Sequence, residues 1–123
     1  MCLGDEVISL KPGVRLLGLS PQMVFAHTVV AAYWVETQLG NVTVTSGCDG
    51  NHTNAPRPSG HYVGNALDYH IKSLWVGPQR ASKVIALRDA LRSALRDDFL
   101  VLAEDVDGPN EHLHVEWLPK RIT

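Results

Sequence analysis

The stretch Glu111-His112-Leu113-His114-Val115-Glu116-Trp117 alternates polar with apolar residues from His112 onward. Successive side chains of an extended chain point to opposite sides, so His112, His114 and Glu116 share one face and Leu113, Val115 and Trp117 the other. The second set is a core face. Two imidazoles and a carboxylate together serve no packing purpose, and burying them unpaired would cost free energy. Their face either lies open to solvent, as one side of an antiparallel sheet often does, or gathers around a ligand.

Outward from this strand, Asp107-Gly108-Pro109-Asn110 is a turn, and Phe99 to Leu102 is a short apolar strand before it. Gly77-Pro78 opens a helix running to about Arg96, with an apolar stripe of Val84, Leu87, Leu91, Ala94 and Leu95. Arg80, Arg88, Arg92 and Arg96 fall near its opposite side, which predicts a solvated face. Leu67 to Ile71 reads as another strand, with Ala66, Asp68 and His70 on one side. Gly47 to Gly60 is loop-like, and Val42 to Thr45 is a β-branched strand. Ser20-Pro21 caps an earlier helix that Gly40-Asn41 stops, and Val24, Thr28, Ala31 and Val35, widened by Phe25, Val29 and Ala32, predict a mostly buried stripe. The order is helix, strand, loop, strand, helix, strand, strand. It predicts an α+β domain: a small, mainly antiparallel sheet with helices packed on one face.

Composition bounds what such a domain does. The 123 residues suit a single domain spanning 1–123, and 45% hydrophobic content suffices for a core. Eleven Lys+Arg against 13 Asp+Glu leave a net charge of -2, no footprint for a phosphate backbone, so nucleic acid is not an expected partner. Cys2 and Cys48 are too few for a disulfide framework or a four-cysteine zinc site. No apolar run approaches the roughly 20 residues of a membrane span. Residues 1–10 lack a basic n-region, which predicts cytoplasmic synthesis without a signal peptide. Five of the 6 histidines fall in two short stretches, at 52, 61 and 70 and at 112 and 114.

The first stretch contains Ser59-Gly60-His61-Tyr62-Val63-Gly64-Asn65-Ala66-Leu67-Asp68. His61 and Asp68 are separated by Gly64 and Ala66, small residues that let the backbone fold tightly around something held between the two side chains. Imidazole nitrogen and carboxylate oxygen are both good zinc ligands, and a catalytic zinc takes three protein ligands and leaves a position for water. His61, Asp68 and one histidine of the final strand would supply that set.

This segment resembles the Ser-x-His-x-x-Gly-x-Ala-x-Asp signature of the D-Ala-D-Ala carboxypeptidase family of zinc peptidases. That family includes phage endolysins, and its fold is shared with the hedgehog domain. Glu111-His112-Leu113-His114 is similar to its second signature, an acidic residue three before the last ligand. Val42 to Gly47 with Asp49-Gly50 and His52 is similar to the strand and loop preceding the first ligand in small phage-type members, so the likeness runs from the first helix to Trp117. The resemblance implies that His61, Asp68 and His114 bind zinc and that Glu111 is the general base. On a regular strand Glu111 would face away from the metal, so it must sit in the turn before the strand; were the strand to begin earlier, Glu116 would be the rival base.

His112 is expected to stabilise an oxyanion, orient substrate or orient a ligand. Where larger members carry an arginine this chain has Cys48-Asp49, and His52 or Arg57 is the candidate replacement. His27 is expected in or beside the core, and His70 either beside the site or exposed. The activity implied is hydrolysis of a stem-peptide bond in peptidoglycan, by a D,D-carboxypeptidase or an L-alanyl-D-glutamate endopeptidase. The implied setting is a phage endolysin that reaches the cell wall after release, or a virion-associated wall hydrolase, acting as a monomer or docked on a larger assembly. The alternative is a zinc-stabilised, non-catalytic structural or binding module of a phage particle.

Overall fold

A computed structural model describes residues 8–11, 14, 16, 18–47 and 64–119. His52 and His61, with Cys48 and Arg57, lie outside the described residues. In chain order the elements are β1 (Ile8–Leu10), α1 (Pro21–Glu36), β2 (Val42–Ser46), β3 (Ala66–Tyr69), α2 (Arg80–Leu95), a 3-10 turn (Arg96–Asp98), β4 (Phe99–Glu104) and β5 (His112–Trp117). The strands form one sheet in the order β1-β2-β3-β5-β4. Only β1 runs parallel to its neighbour; the other pairs are antiparallel. The fold class is α+β, as expected. No helix among the described residues is long and apolar enough to cross a membrane.

Alternation builds the core from one face of the sheet. Val42 and Val44, Leu67 and Tyr69, Val101, and Leu113 and Val115 all point to the same side, where they meet both helices in one hydrophobic cluster. From α2 come Val84, Leu87, Leu91 and Leu95, four of the five residues of the expected stripe; the fifth, Ala94, is exposed. The helix starts later than Gly77-Pro78, because Gly77 at φ +96 makes a turn whose carbonyl accepts from the Arg80 amide.

Helix α1 departs further from expectation. Its cap is as read, with the Ser20 hydroxyl accepting from the Met23 amide at 3.2 Å. Its buried residues are Met23, Ala26, Val30, Ala31 and Trp34, while Val24, Phe25 and Val35 are each more than half exposed. The stripe is therefore turned from the one expected, and the helix is not mostly buried. The physical reason is that α1 is apolar nearly all round, so periodicity could not single out a face. It also ends at Glu36 rather than Gly40, with Gln38 already at positive φ.

Gly64 shows what the small residues of the first motif do. At φ +78 it adopts a conformation that side chains disfavour, and a Cβ there would run into the carbonyl of Gly18. Its own carbonyl accepts from the Ser20 amide at 2.9 Å. The close approach thus serves the backbone that leads into α1, and Ala66 is fully buried. Both were expected to make room for a bound group; at Gly64 the space is taken by the chain itself. Gly64→Ala is expected to destabilise the fold by about 1 to 3 kcal/mol from backbone strain alone, measurable as a lower urea midpoint.

Candidate metal centre

The face of the sheet away from the helices carries the polar residues. Antiparallel register sets Asp68 of β3 directly opposite His114 of β5, and Glu104 of β4 opposite His112. Because β3 and β5 are adjacent inner strands, Asp68 and His114 sit near the middle of the sheet rather than on a mobile edge. Their side chains are only 17% and 12% exposed.

The His114 ring is held at both nitrogens. Nδ1 donates to Asp68 Oδ1 at 2.8 Å, and Nε2 donates to Glu116 Oε1 at 2.9 Å. Burial alone would lower the pKa of this imidazole, but the hydrogen bonds to Asp68 and Glu116, with the two negative charges, outweigh it and raise the value to about 9.

His112 lies on the same face, as alternation requires. Its Nδ1 donates to the carbonyl oxygen of Asn110 at 2.7 Å, an atom that can only accept. That bond leaves Nε2 facing Glu104 and Asp68, at 3.6 and 3.8 Å. Glu104 escaped the sequence reading, which ended its strand at Leu102; β4 continues in alternation to Glu104. Its Oε1 also lies 3.9 Å from His114 Nδ1.

Glu111 stands in the turn immediately before β5, where a base three residues from His114 was expected to sit. Its side chain is fully buried. Both carboxylate oxygens accept from the Arg80 guanidinium, Oε2 at 2.6 Å, and Oε2 also accepts from the Asp107 amide at 2.6 Å. Arg80 was expected on a solvated face, yet it is only 13% exposed and binds Asp107 as well as Glu111. A partner 31 positions away leaves no local signal in a row of arginines.

The hydrogen bonds from Arg80 hold the Glu111 carboxyl below its ordinary pKa against the opposing effect of burial. A group with a depressed folded pKa stabilises the fold above its unfolded pKa, about 4.3 for Glu, and loses that contribution as pH falls through the folded value. Acidification below about pH 4.3 is therefore expected to lower the melting temperature of wild type more than that of Glu111→Gln, which differential scanning calorimetry would show.

Two further histidines have local partners. His70 follows the end of β3 and its Nε2 is 2.6 Å from the Ser73 hydroxyl. His27 stacks on Tyr69 and shares a hydrogen bond of 2.9 Å with its hydroxyl. Burial lowers the His27 pKa, in keeping with its expected core position.

A cleft of about 270 Å³ opens beside this face. Asp68, His70, Glu111 and His112 border it, together with Lys11 and Lys72.

No family model, curated protein or solved structure matches this chain. Among the described residues there is no cluster of three or more His, Cys, Asp or Glu side chains shaped to hold a metal ion. The structure brings together Asp68 and His114, two of the three ligands expected from the sequence. It sets His112 and Glu111 along the same cleft, with Glu111 committed to Arg80. His61, the third expected ligand, and His52 lie outside the described residues.

Proposed function

We propose that the chain is a zinc metallopeptidase that hydrolyses peptidoglycan stem-peptide bonds, as a D,D-carboxypeptidase or an L-alanyl-D-glutamate endopeptidase, on a hedgehog-like zinc fold. The observation that carries this reading is the register pair of Asp68 and His114, whose oxygen and nitrogen donors lie 2.8 Å apart on adjacent inner strands. An oxygen and an imidazole nitrogen, partly shielded from water, form a donor set that suits zinc. Asp68 and His114 would hold it with His61. When bound, zinc supplies a Lewis acid that polarises a carbonyl and lowers the pKa of water toward about 7.

The chain's own residues supply the remaining roles. Glu111 accepts a proton from the attacking water at a carboxylate oxygen and returns it to the leaving amine. Glu111 borders the cleft, but with both oxygens buried and bound to Arg80 and the Asp107 amide it takes that proton only once the ion pair opens. His112, its Nδ1 committed to the Asn110 carbonyl, borders the cleft where it would contact the substrate. The stem peptide would lie in the cleft bordered by Asp68 and His112. An endolysin or a virion-associated wall hydrolase, working as a monomer or docked on a larger assembly, is the setting that accords with the two motifs.

The test is turnover of purified peptidoglycan by zinc-loaded protein, with mass spectrometry of the released peptides. Released stem-peptide fragments support the reading and identify the bond. A zinc-loaded wild type that releases nothing from any wall chemotype would favour a zinc-stabilised, non-catalytic module of a phage particle. Undiminished zinc content in His61→Ala would place the metal elsewhere.

A further inference from the structure

We propose that Lys11 and Lys72 make the cleft a carboxylate-recognition site, holding the free α-carboxylate of the substrate residue that supplies the leaving amine; this rests on the peptidase reading above. The two bonds considered there share that group. In D-Ala-D-Ala it is the chain terminus. In the L-alanyl-D-glutamate bond of a stem peptide it is the α-carboxyl of glutamate, whose onward link runs through the side chain. Both place the carboxylate on the carbon that bears the scissile nitrogen, so a cleft that takes either bond must also take a negative charge.

The charges bordering the cleft suit this. Its own carboxylates already have partners: Asp68 lies 2.8 Å from the His114 ring, and the buried Glu111 is bound by Arg80. The two lysines differ, since both are exposed and neither forms a salt bridge among the described residues. Glu111 feels the charge of Lys72, but Arg80 occupies both of its oxygens.

The two cations reach the cleft from different strands, and both are anchored through the backbone. The Lys11 amide donates to the Val44 carbonyl at 2.9 Å, one residue beyond the last pair of β1 and β2. The Lys72 carbonyl accepts from the Arg80 guanidinium at 3.0 Å in the connection leaving β3. Thr45 and Ser46 of β2 border the same cleft and add hydroxyl donors, which a carboxylate can accept. Lysine is a point charge on a flexible stem, so it meets a carboxylate without the fixed two-pronged geometry that arginine requires.

Four peptides test the site: one ending in D-Ala-D-Ala and one containing L-alanyl-γ-D-glutamate, each with the α-carboxylate free or converted to its amide. In whichever pair is its substrate, zinc-loaded wild type is expected to favour the acid over the amide by about 10-fold in kcat/KM, the scale of two exposed ion pairs acting together. That pair identifies the source of the carboxylate. Added salt should shrink the ratio. The double variant Lys11→Gln with Lys72→Gln is expected to bring the ratio close to one, while Lys83→Gln, exposed on α2 and outside the cleft, keeps it. Equal rates for acid and amide would overturn the proposal and leave the peptidase reading intact, as would a ratio that survives in the double variant.

Binding supplies a readout without turnover. Ketomethylene analogues of the same peptides, which cannot be hydrolysed, are titrated by calorimetry into the full chain with zinc present. The acid is again expected to bind about 10-fold more tightly than the amide. A chain that hydrolyses none of the peptides yet prefers the acid analogue would overturn the peptidase reading and retain the carboxylate site. Equal binding with no turnover would overturn both.

Discussion

Arg80→Ala is expected to destabilise the fold by roughly 3 to 5 kcal/mol, the cost of stranding one member of a buried ion pair. The Glu111 side chain has no exposure to water, so its charge relies on Arg80 and the Asp107 amide. Arg80 also donates to the Lys72 carbonyl at 3.0 Å and to Asp107 Oδ1 at 2.9 Å. It therefore ties three pieces together: the start of α2, the connection leaving β3, and the turn entering β5. Two of those segments adjoin the strands that carry Asp68 and His114. A single pair exposed to solvent would be worth at most about 1 kcal/mol, and the predicted cost exceeds this because Glu111 cannot rehydrate in place. Urea unfolding of Arg80→Ala measures the loss. The double variant Arg80→Leu with Glu111→Leu removes both charges and is expected to recover much of it, since a buried pair replaced by apolar residues is often neutral. Equal stability of Arg80→Ala and wild type would mean that Glu111 finds another partner.

The parts of this molecule legible in sequence are those with a clean period. Strand β5 spans His112–Trp117 as its alternation requires, and four of the five residues expected to line α2 are buried. Asp68 and His114, which two motifs 46 positions apart offer as ligand types, stand opposite each other on adjacent strands. Where the period was weak, the reading failed for identifiable reasons. Helix α1 has too many apolar residues for its pattern to choose a side. Strand β1, at three residues, is too short to alternate and depends on its parallel partner β2. Glu104 was lost by ending a strand one alternation early, and Arg80 because its partner is distant in the chain. Long-range ion pairs are written in the topology, and no local spacing announces them.

That topology also explains how one face of the sheet is left to polar side chains. Both helices cover the side bearing Leu67, Tyr69, Leu113 and Val115. The other side is left to Asp68, His112, His114, Glu116 and Glu104. Backbone pairing to both neighbours holds β3 and β5, so these side chains start from a rigid base and their remaining freedom is limited to rotation. The hydrogen bonds of His114 to Asp68 and Glu116, and of His112 to Asn110, reduce that freedom further. Preorganisation of this kind lowers the cost of ordering ligands when a metal or substrate binds.

Glu111→Gln is expected to lower peptidoglycan turnover by about 100-fold while leaving zinc content unchanged. General-base catalysis is typically worth 10²- to 10⁴-fold, with the largest gains where the base has a pKa near the working pH. Arg80 moves Glu111 the wrong way for that, so the loss belongs at the lower end of the range. Glutamine preserves the shape and an acceptor oxygen for Arg80, which separates the chemical role from the packing role better than alanine does. The measurement is the initial rate of peptide release by mass spectrometry, with zinc determined on the same samples. Wild-type rates in Glu111→Gln would remove Glu111 from the reaction and leave it as the anchor of Arg80. Were the rate instead lost in Glu116→Gln at full zinc occupancy, the proton would be handled from the ligand face of β5. Each result assigns the two carboxylates differently: a buried one neutralised by arginine, and one that rests against His114.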